Sequence, residues 1–310
     1  METIILKKQK GQNKLRYAEL PIPKIGEDEV LVQVKAIGIN PIDLKTKDFK
    51  GIYERLKDQD PIILGWDVSG VVIKSNSANF ISGDEVFGLI NFPGHGKAYA
   101  EFIACPADHL AKKPKNCTHL ETAATSLAAL TAYQAMQKLG VQSKDKVLIH
   151  AASGGVGHFA VQIAKYLSAF VVGTSSQKNK DFVMGLGADK HIDYHTDQLE
   201  KEVERFDIVF DPVGGETIDR SLSLMKKGSK IMSIPSGKNE EVIEKAQNNG
   251  KLGLKFTVAS SREDIQTIAN YLENGILKPH ISNVYDFTQM QKAHEHLAAG
   301  HTVGKIVVEL

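Results

Sequence analysis

The sequence predicts an α/β chain made of two units, one rich in β-strand and one built on a doubly wound parallel sheet. Three observations carry this. Residues 1 to about 117 hold short strand-like runs separated by Gly, Pro, Asn and Asp clusters. From Lys146 onward, short β-prone runs alternate with helix-like segments, the pattern of right-handed βαβ crossovers. The first of those strands leads into a glycine turn, Ala151-Ala-Ser-Gly-Gly-Val-Gly157.

In the β-rich part, strands are expected at 30–39, 62–73, 85–89 and 98–104, with turn clusters at 25–28 and 91–96 and a loop over 42–60, polar from Gly51 to Asp60. Thr118 and Glu121 fit a capping box, followed by an Ala- and Leu-rich helix to Leu139 that stops at Gly140. Beyond it, strands are expected at 146–150, 170–174, 207–211, 230–234 and 255–259. Helices are expected at 156–167, 180–186 and 262–274, and residues 276–310 read as strand, helix, strand. No internal repeat or low-complexity segment is present.

At 310 residues, two packed units are the natural division. Apolar residues make up 42% and charged residues 24%, the composition of a chain that buries a sizeable core. Net charge is +1, from 38 Lys and Arg against 37 Asp and Glu, which argues against nucleic acid as the main partner. Lys112, Lys113 and Lys115 make only a small cluster. The two cysteines, Cys105 and Cys117, exclude a disulfide scaffold and suit a reducing compartment. No run approaches the roughly 18 apolar residues of a membrane span, and the N-terminal apolar run is too short for a signal peptide. A cytoplasmic location and no membrane partner are expected.

The glycine turn has a chemical reading. A strand that turns tightly into a helix leaves backbone N–H groups exposed at the helix start, where the peptide dipoles add about half a positive charge. Ser153, Gly154, Gly155 and Val156 are therefore candidates to hold a pyrophosphate. The dinucleotide fingerprint G-x-G-x-x-G is matched by Ala152, Gly154 and Gly157, with the first glycine replaced. An acid about 20 positions further on would select NAD. The segment Gly173-Thr-Ser-Ser-Gln-Lys-Asn-Lys180 has none before Asp181. Hydroxyls and lysines donate to a 2′-phosphate, so NADPH is predicted, held by Ser175, Ser176 and Lys180 with help from Lys178.

The motifs Asn40-Pro-Ile-Asp-Leu-Lys45, Gly65-Trp-Asp-Val-Ser-Gly70, Gly83-Asp-Glu-Val86, Leu130-Thr-Ala-Tyr133, Asp211-Pro-Val-Gly-Gly215 and Gly304-Lys-Ile-Val307 follow one another along nearly the whole chain. With the glycine turn, they make the sequence similar to the zinc-free quinone and enone oxidoreductase branch of the medium-chain dehydrogenase/reductase superfamily. The resemblance implies a GroES-like domain from residues 1–118 and 262–310, a Rossmann NADP-binding domain over 119–261, and a homodimer. It also implies that Tyr194 flanks the 2′-phosphate and that Thr131, Asp211 and Ser236 line the dinucleotide.

Zinc-dependent relatives carry a cysteine and a histidine in the cleft. Here those positions hold Asn40 and Trp66, and two cysteines cannot form a four-thiolate site. No metal is expected. His191 with His195, and His294, His296 and His301, read as surface or partly buried histidines.

Without a Lewis acid, reducing a quinone or a polarised C=C is easier than oxidising an alcohol. Hydride addition to an enone puts negative charge on the carbonyl oxygen, and a donor aimed there stabilises it. Lys45 and Asn40 are the candidate donors, Lys45 alternatively binding the cofactor ribose, and Tyr53 is a further cleft candidate. Two rivals stand beside this: an enoyl thioester reductase, and an NADPH-binding protein with little turnover and an RNA-binding or structural role.

Overall fold

The computed structural model describes residues 1–9, 12–196 and 205–310. They form two compact units, Met1–Leu130 with Val258–Leu310, and Thr131–Thr257. The first is the GroES-like unit, the second a Rossmann-type parallel sheet.

In the first unit, both ends of the chain build one sheet. Its strands run in the order Ile281–Asp286, Lys305–Glu309, Glu29–Ile39, Asp67–Ser75, Glu85–Leu89, Leu110–Lys112, with Phe102–Pro106 also paired to Glu29–Ile39. The C-terminal strand lies antiparallel to Glu29–Ile39, with Ile306 opposite Ile39. That register sets Lys305 next to the end of a strand read early in the chain.

Several sequence expectations shift. The run expected at 62–73 is two strands in different sheets. It breaks at Gly65, whose φ of 86° suits glycine. Ile62–Ile63 joins the hairpin Glu2–Gln9 and Gln12–Glu19, while Asp67–Ser75 joins the main sheet. The strand expected at 98–104 is Phe102–Pro106, because its partner Glu29–Ile39 pairs with that stretch. The expected loop 42–60 contains the helices Pro41–Lys47 and Tyr53–Leu56. Pro41 sits at the first turn, where its missing N–H costs nothing, and Asp43 accepts from the Asn40 N–H at 2.6 Å.

The capping box forms as expected. Glu121 accepts from the Thr118 N–H at 2.8 Å, and the Glu121 N–H donates to the Thr118 hydroxyl at 3.2 Å, opening the helix His119–Leu139.

In the second unit six parallel strands run in the order Lys190–Asp193, Phe170–Ser175, Lys146–Ile149, Phe206–Asp211, Met225–Ser233, Leu252–Lys255. The order reverses beside Lys146–Ile149, so a crevice opens at the strand ends there. Leu148, Val172, Phe206, Val209, Ile218 and Ile231 pack among its core residues. Met225–Ser233 begins five residues before the expected 230. The last strand is Leu252–Lys255 rather than 255–259, since its pairing to Met225–Ser233 sets Leu252 against Lys230. Among the described residues no helix is long and apolar enough to cross a membrane.

Candidate functional site

The glycine turn joins Lys146–Ile149 to the helix Gly157–Tyr166. Gly157 permits the tight approach of helix to strand: a Cβ there would stand 2.1 Å from the Ala151 carbonyl oxygen. Ala151 itself has φ 45°. Ala152 is fully buried and donates its N–H to Thr174 O at 2.8 Å. Its methyl fits because the next strand has Gly173 alongside, where a Cβ would lie 2.8 Å from that of Ala152. The helical ladder opens with His158 N–H on Gly154 O at 3.0 Å. N–H groups at the very start of a helix have no intrahelical carbonyl to reach, which makes them an anion cradle. Gly154, Gly155 and Val156 are half-buried there. Ser153 is buried and accepts from Asn179 Nδ2 at 3.1 Å.

Of the predicted phosphate-selecting residues, Ser175 and Tyr194 meet at the end of Phe170–Ser175. Ser175 is buried, with its hydroxyl 2.8 Å from His191 Nε2, and its carbonyl accepts from the Tyr194 N–H at 3.3 Å. Tyr194 is half exposed, its ring against His195 at 4.2 Å. Ser176 is half-buried, and Lys178 and Lys180 are exposed. Asp193 is the register partner of Ser175 on the neighbouring strand, and its Oδ1 accepts from the His195 N–H at 3.0 Å. His191, read from sequence as a bland histidine, belongs to this group. Burial holds its pKa below the usual value.

Asp211 organises the turn after Phe206–Asp211. Its fully buried carboxylate accepts from the N–H groups of Val213 (2.9 Å) and Gly214 (3.0 Å) and from the hydroxyls of Thr217 (3.0 Å) and Ser233 (2.9 Å). Beside that turn opens a cavity of about 590 Å³, lined in part by Gly214, Gly215, Thr217 and Lys238. Ser236 is exposed on the adjoining loop, and Thr131 is buried in His119–Leu139. His150, unread in the sequence, is buried between Thr174 Oγ1 (3.1 Å) and Ser221 Oγ (2.8 Å), and burial lowers its pKa.

In the GroES-like unit, Asn40, Lys45 and Tyr53 lie on one short stretch. Asn40 is buried. Its Nδ2 donates to Asp67 Oδ2 at 2.9 Å and to Gly38 O at 3.3 Å, while its Oδ1 accepts from Lys305 Nζ. Both amide hydrogens are thus engaged within the protein. Lys45 is half-buried in Pro41–Lys47, and its carbonyl accepts from the Lys50 N–H at 2.7 Å. Tyr53 is buried, edge-on to Phe49 with centroids 5.0 Å apart. Asp43, Asp67 and Lys305, which the sequence reading did not single out, are all buried here. Burial raises the pKa of Asp43 to about 7 and of Asp67 to about 6, and lowers that of Lys305.

Comparison with known proteins places this arrangement. Residues 26–115 match the family model of the alcohol dehydrogenase GroES-like domain, and residues 186–308 match that of zinc-binding dehydrogenases. The 2-methylene-furan-3-one reductase of Solanum lycopersicum is 31% identical over 94% of this chain and 74% of its own length. The structure of the quinone oxidoreductase from Coxiella burnetii superposes with a TM-score of 0.92 at 33% identity, covering 100% of this chain and 99% of that one. The chain belongs to the quinone oxidoreductase branch of the medium-chain dehydrogenase/reductase superfamily. A further member, the Escherichia coli quinone oxidoreductase complexed with NADPH, aligns with a TM-score of 0.87 at 26% identity over 100% of both chains.

The two positions where zinc-dependent relatives carry cysteine and histidine hold an amide and an indole here. Asn40 is a neutral amide. Trp66 is fully buried and donates its indole N–H to Gly94 O at 2.8 Å. Cys105 is buried in Phe102–Pro106, and burial pushes its thiol far up. Among the described residues, no three His, Cys, Asp or Glu side chains gather as a ligand set.

Proposed function

We propose that this member of the branch is an NADPH-dependent reductase that transfers a hydride, without a metal, to a quinone or to the activated C=C of an enone. The observation that carries the reading is the chemistry of one strand end. Ser175 and Tyr194 meet beyond the glycine turn, Ser176 and Lys180 follow closely in sequence, residues 173–180 contain no carboxylate, and Asp193 on the adjoining strand is engaged by the His195 N–H. Hydroxyl and ammonium donors suit a 2′-phosphate, whereas a carboxylate there would repel it. The E. coli relative crystallised with NADPH supports the same choice.

A reduced nicotinamide dinucleotide held by its pyrophosphate on the turn would supply the hydride. The chain's own residues hold and orient. The amides at Gly154–Gly157 would receive the pyrophosphate. Asp211 stiffens the Val213–Gly214 turn beside the crevice. Lys45 is the donor to the carbonyl or quinone oxygen on which charge accumulates, a role worth roughly 3 kcal/mol of barrier for a single donor. Asn40 is a strut for that helix rather than a second donor, because its amide hydrogens are engaged. The exposed edge strand Leu252–Lys255 in the cofactor unit supports a homodimer joined there.

The test is oxidation of NADPH and of NADH, followed spectrophotometrically, with a panel of quinones, alkenals, enones and crotonyl thioesters, alongside elemental analysis and light scattering. Efficient turnover of quinones or short enones with NADPH by metal-free protein is expected. A preference for NADH, faster turnover of thioesters, stoichiometric zinc, or no turnover combined with salt-sensitive RNA binding would each displace the reading.

A further inference from the structure

Lys305 is an ammonium on a strand whose next three residues, Ile306, Val307 and Val308, are all fully buried core. It is itself only 4% exposed. Its three hydrogens have three oxygens to face: Ile39 O at 3.0 Å, Asn40 Oδ1, and Asp67 Oδ2 at 3.7 Å. Asp67 in turn accepts from Asn40 Nδ2 at 2.9 Å and from the Leu127 N–H at 2.7 Å. Replacing such an ion pair by apolar side chains is often neutral or stabilising, so bulk stability does not account for a lysine here. What the ammonium does hold is a point in the backbone. Ile39 and Asn40 are the last residues before Pro41–Lys47, and that helix has seven residues, too few to fix its own direction. One end of the anchor is Lys305 on Ile39 and Asn40. The other is Asp43, whose carboxyl accepts from the Asn40 N–H.

Charge counting fits the same picture. Two carboxylates, Asp43 and Asp67, share one buried ammonium, so one proton is retained. Asp67, with Lys305, Asn40 and Leu127 on it, is the better-satisfied carboxylate, which leaves the proton with Asp43 beside the Tyr99 hydroxyl.

We propose that Lys305 is a positioning residue for Lys45: by clamping the Ile39–Asn40 turn, it sets where the helix carrying Lys45 points. This rests on the assignment of Lys45 as the donor to the substrate oxygen.

The experiment is a double-mutant cycle on the full chain. Turnover of benzoquinone and of methyl vinyl ketone at saturating NADPH is measured for Lys305→Met, Lys45→Ala and the combination, with NADPH affinity by calorimetry. Lys305→Met is expected to lower kcat roughly 10- to 100-fold, the cost of about an ångström of misplacement, with NADPH affinity nearly unchanged. In the Lys45→Ala background it is expected to add little. Should Lys305→Met fail to fold, Lys305→Met/Asp67→Asn removes the pair together and strands no carboxylate, and it is read the same way. Undiminished kcat in the folded Lys305 variants while Lys45→Ala is slow overturns the positioning role alone. So does a loss that multiplies through the Lys45→Ala background. Full turnover in Lys45→Ala overturns both this role and the donor assignment beneath it.

Discussion

Ala152 and Gly173 divide a single volume between the glycine turn and the neighbouring strand: the methyl that Ala152 adds is the one that Gly173 leaves out, and Cβ atoms at both would be 2.8 Å apart. The first position of the fingerprint therefore tolerates alanine because the neighbouring strand supplies the glycine. Gly173→Ala is expected to overpack this contact and a second one, 2.8 Å from Val183 Cγ1, at a cost of roughly 1–3 kcal/mol in urea unfolding, with weaker NADPH binding. Adding Ala152→Gly should recover part of the loss, since it relieves one of the two contacts. A Gly173→Ala protein as stable as the parent would show that the turn is looser than this packing implies.

That exchange marks the boundary of what the chain discloses on its own. The glycine turn, the Thr118–Glu121 cap and the alternation of strands with helices are local, so residue order alone reveals them. Gly173 appears as an ordinary strand residue until its partner strand is known. The same holds for the last strand of the parallel sheet, displaced to Leu252–Lys255 by its register against Met225–Ser233. The helix Pro41–Lys47 did have a local signal, Asn40-Pro41 followed by Asp43 in capping position, yet it reads as loop when that signal is passed over. The grouping of Asp43, Asp67 and Lys305 has no local signal. They become one site only when the C-terminal strand pairs with Glu29–Ile39.

Asp211 illustrates a carboxylate used for architecture. Four donors converge on it, and Asp211→Ala would leave at least the buried Ser233 hydroxyl and the Gly214 N–H without it. A loss of about 3 kcal/mol in unfolding free energy is expected, together with at least a tenfold rise in the NADPH dissociation constant as the turn relaxes. A variant that binds NADPH as the parent does would detach this turn from the cofactor site.

Cofactor choice is testable at Ser176, half-buried at the end of the second strand. Ser176→Asp places a carboxylate among the predicted phosphate ligands. The ratio of kcat/KM for NADPH over NADH should fall by about 10-fold or more, a shift of roughly 1.4 kcal/mol, mostly through KM for NADPH. An unchanged ratio would move the 2′-phosphate away from this strand end.

The buried carboxyl of Asp43 makes stability depend on pH in a direction that can be assigned. Its pKa rises in the folded state from 3.8 to about 7, chiefly through burial. A raised folded pKa means that its contribution is present in full below the unfolded value and is lost as pH climbs through about 7. His294, against Tyr99 at 2.9 Å, acts oppositely: burial lowers its pKa from 6.5 to about 4, so its contribution is present above 6.5 and is lost as pH falls toward 4. These effects and that of Asp67, raised to about 6, overlap in one window, and the parent's own pH curve cannot separate them. Asp43→Asn keeps the shape and an acceptor for the Asn40 N–H while removing the titration. Relative to the parent, it should gain on the order of 3 kcal/mol between pH 4 and pH 8, with the His294 contribution cancelling in the difference. Urea unfolding of both proteins across that range reads the difference directly. Parallel curves would mean that Asp43 is ionised throughout and that the retained proton lies elsewhere in the network.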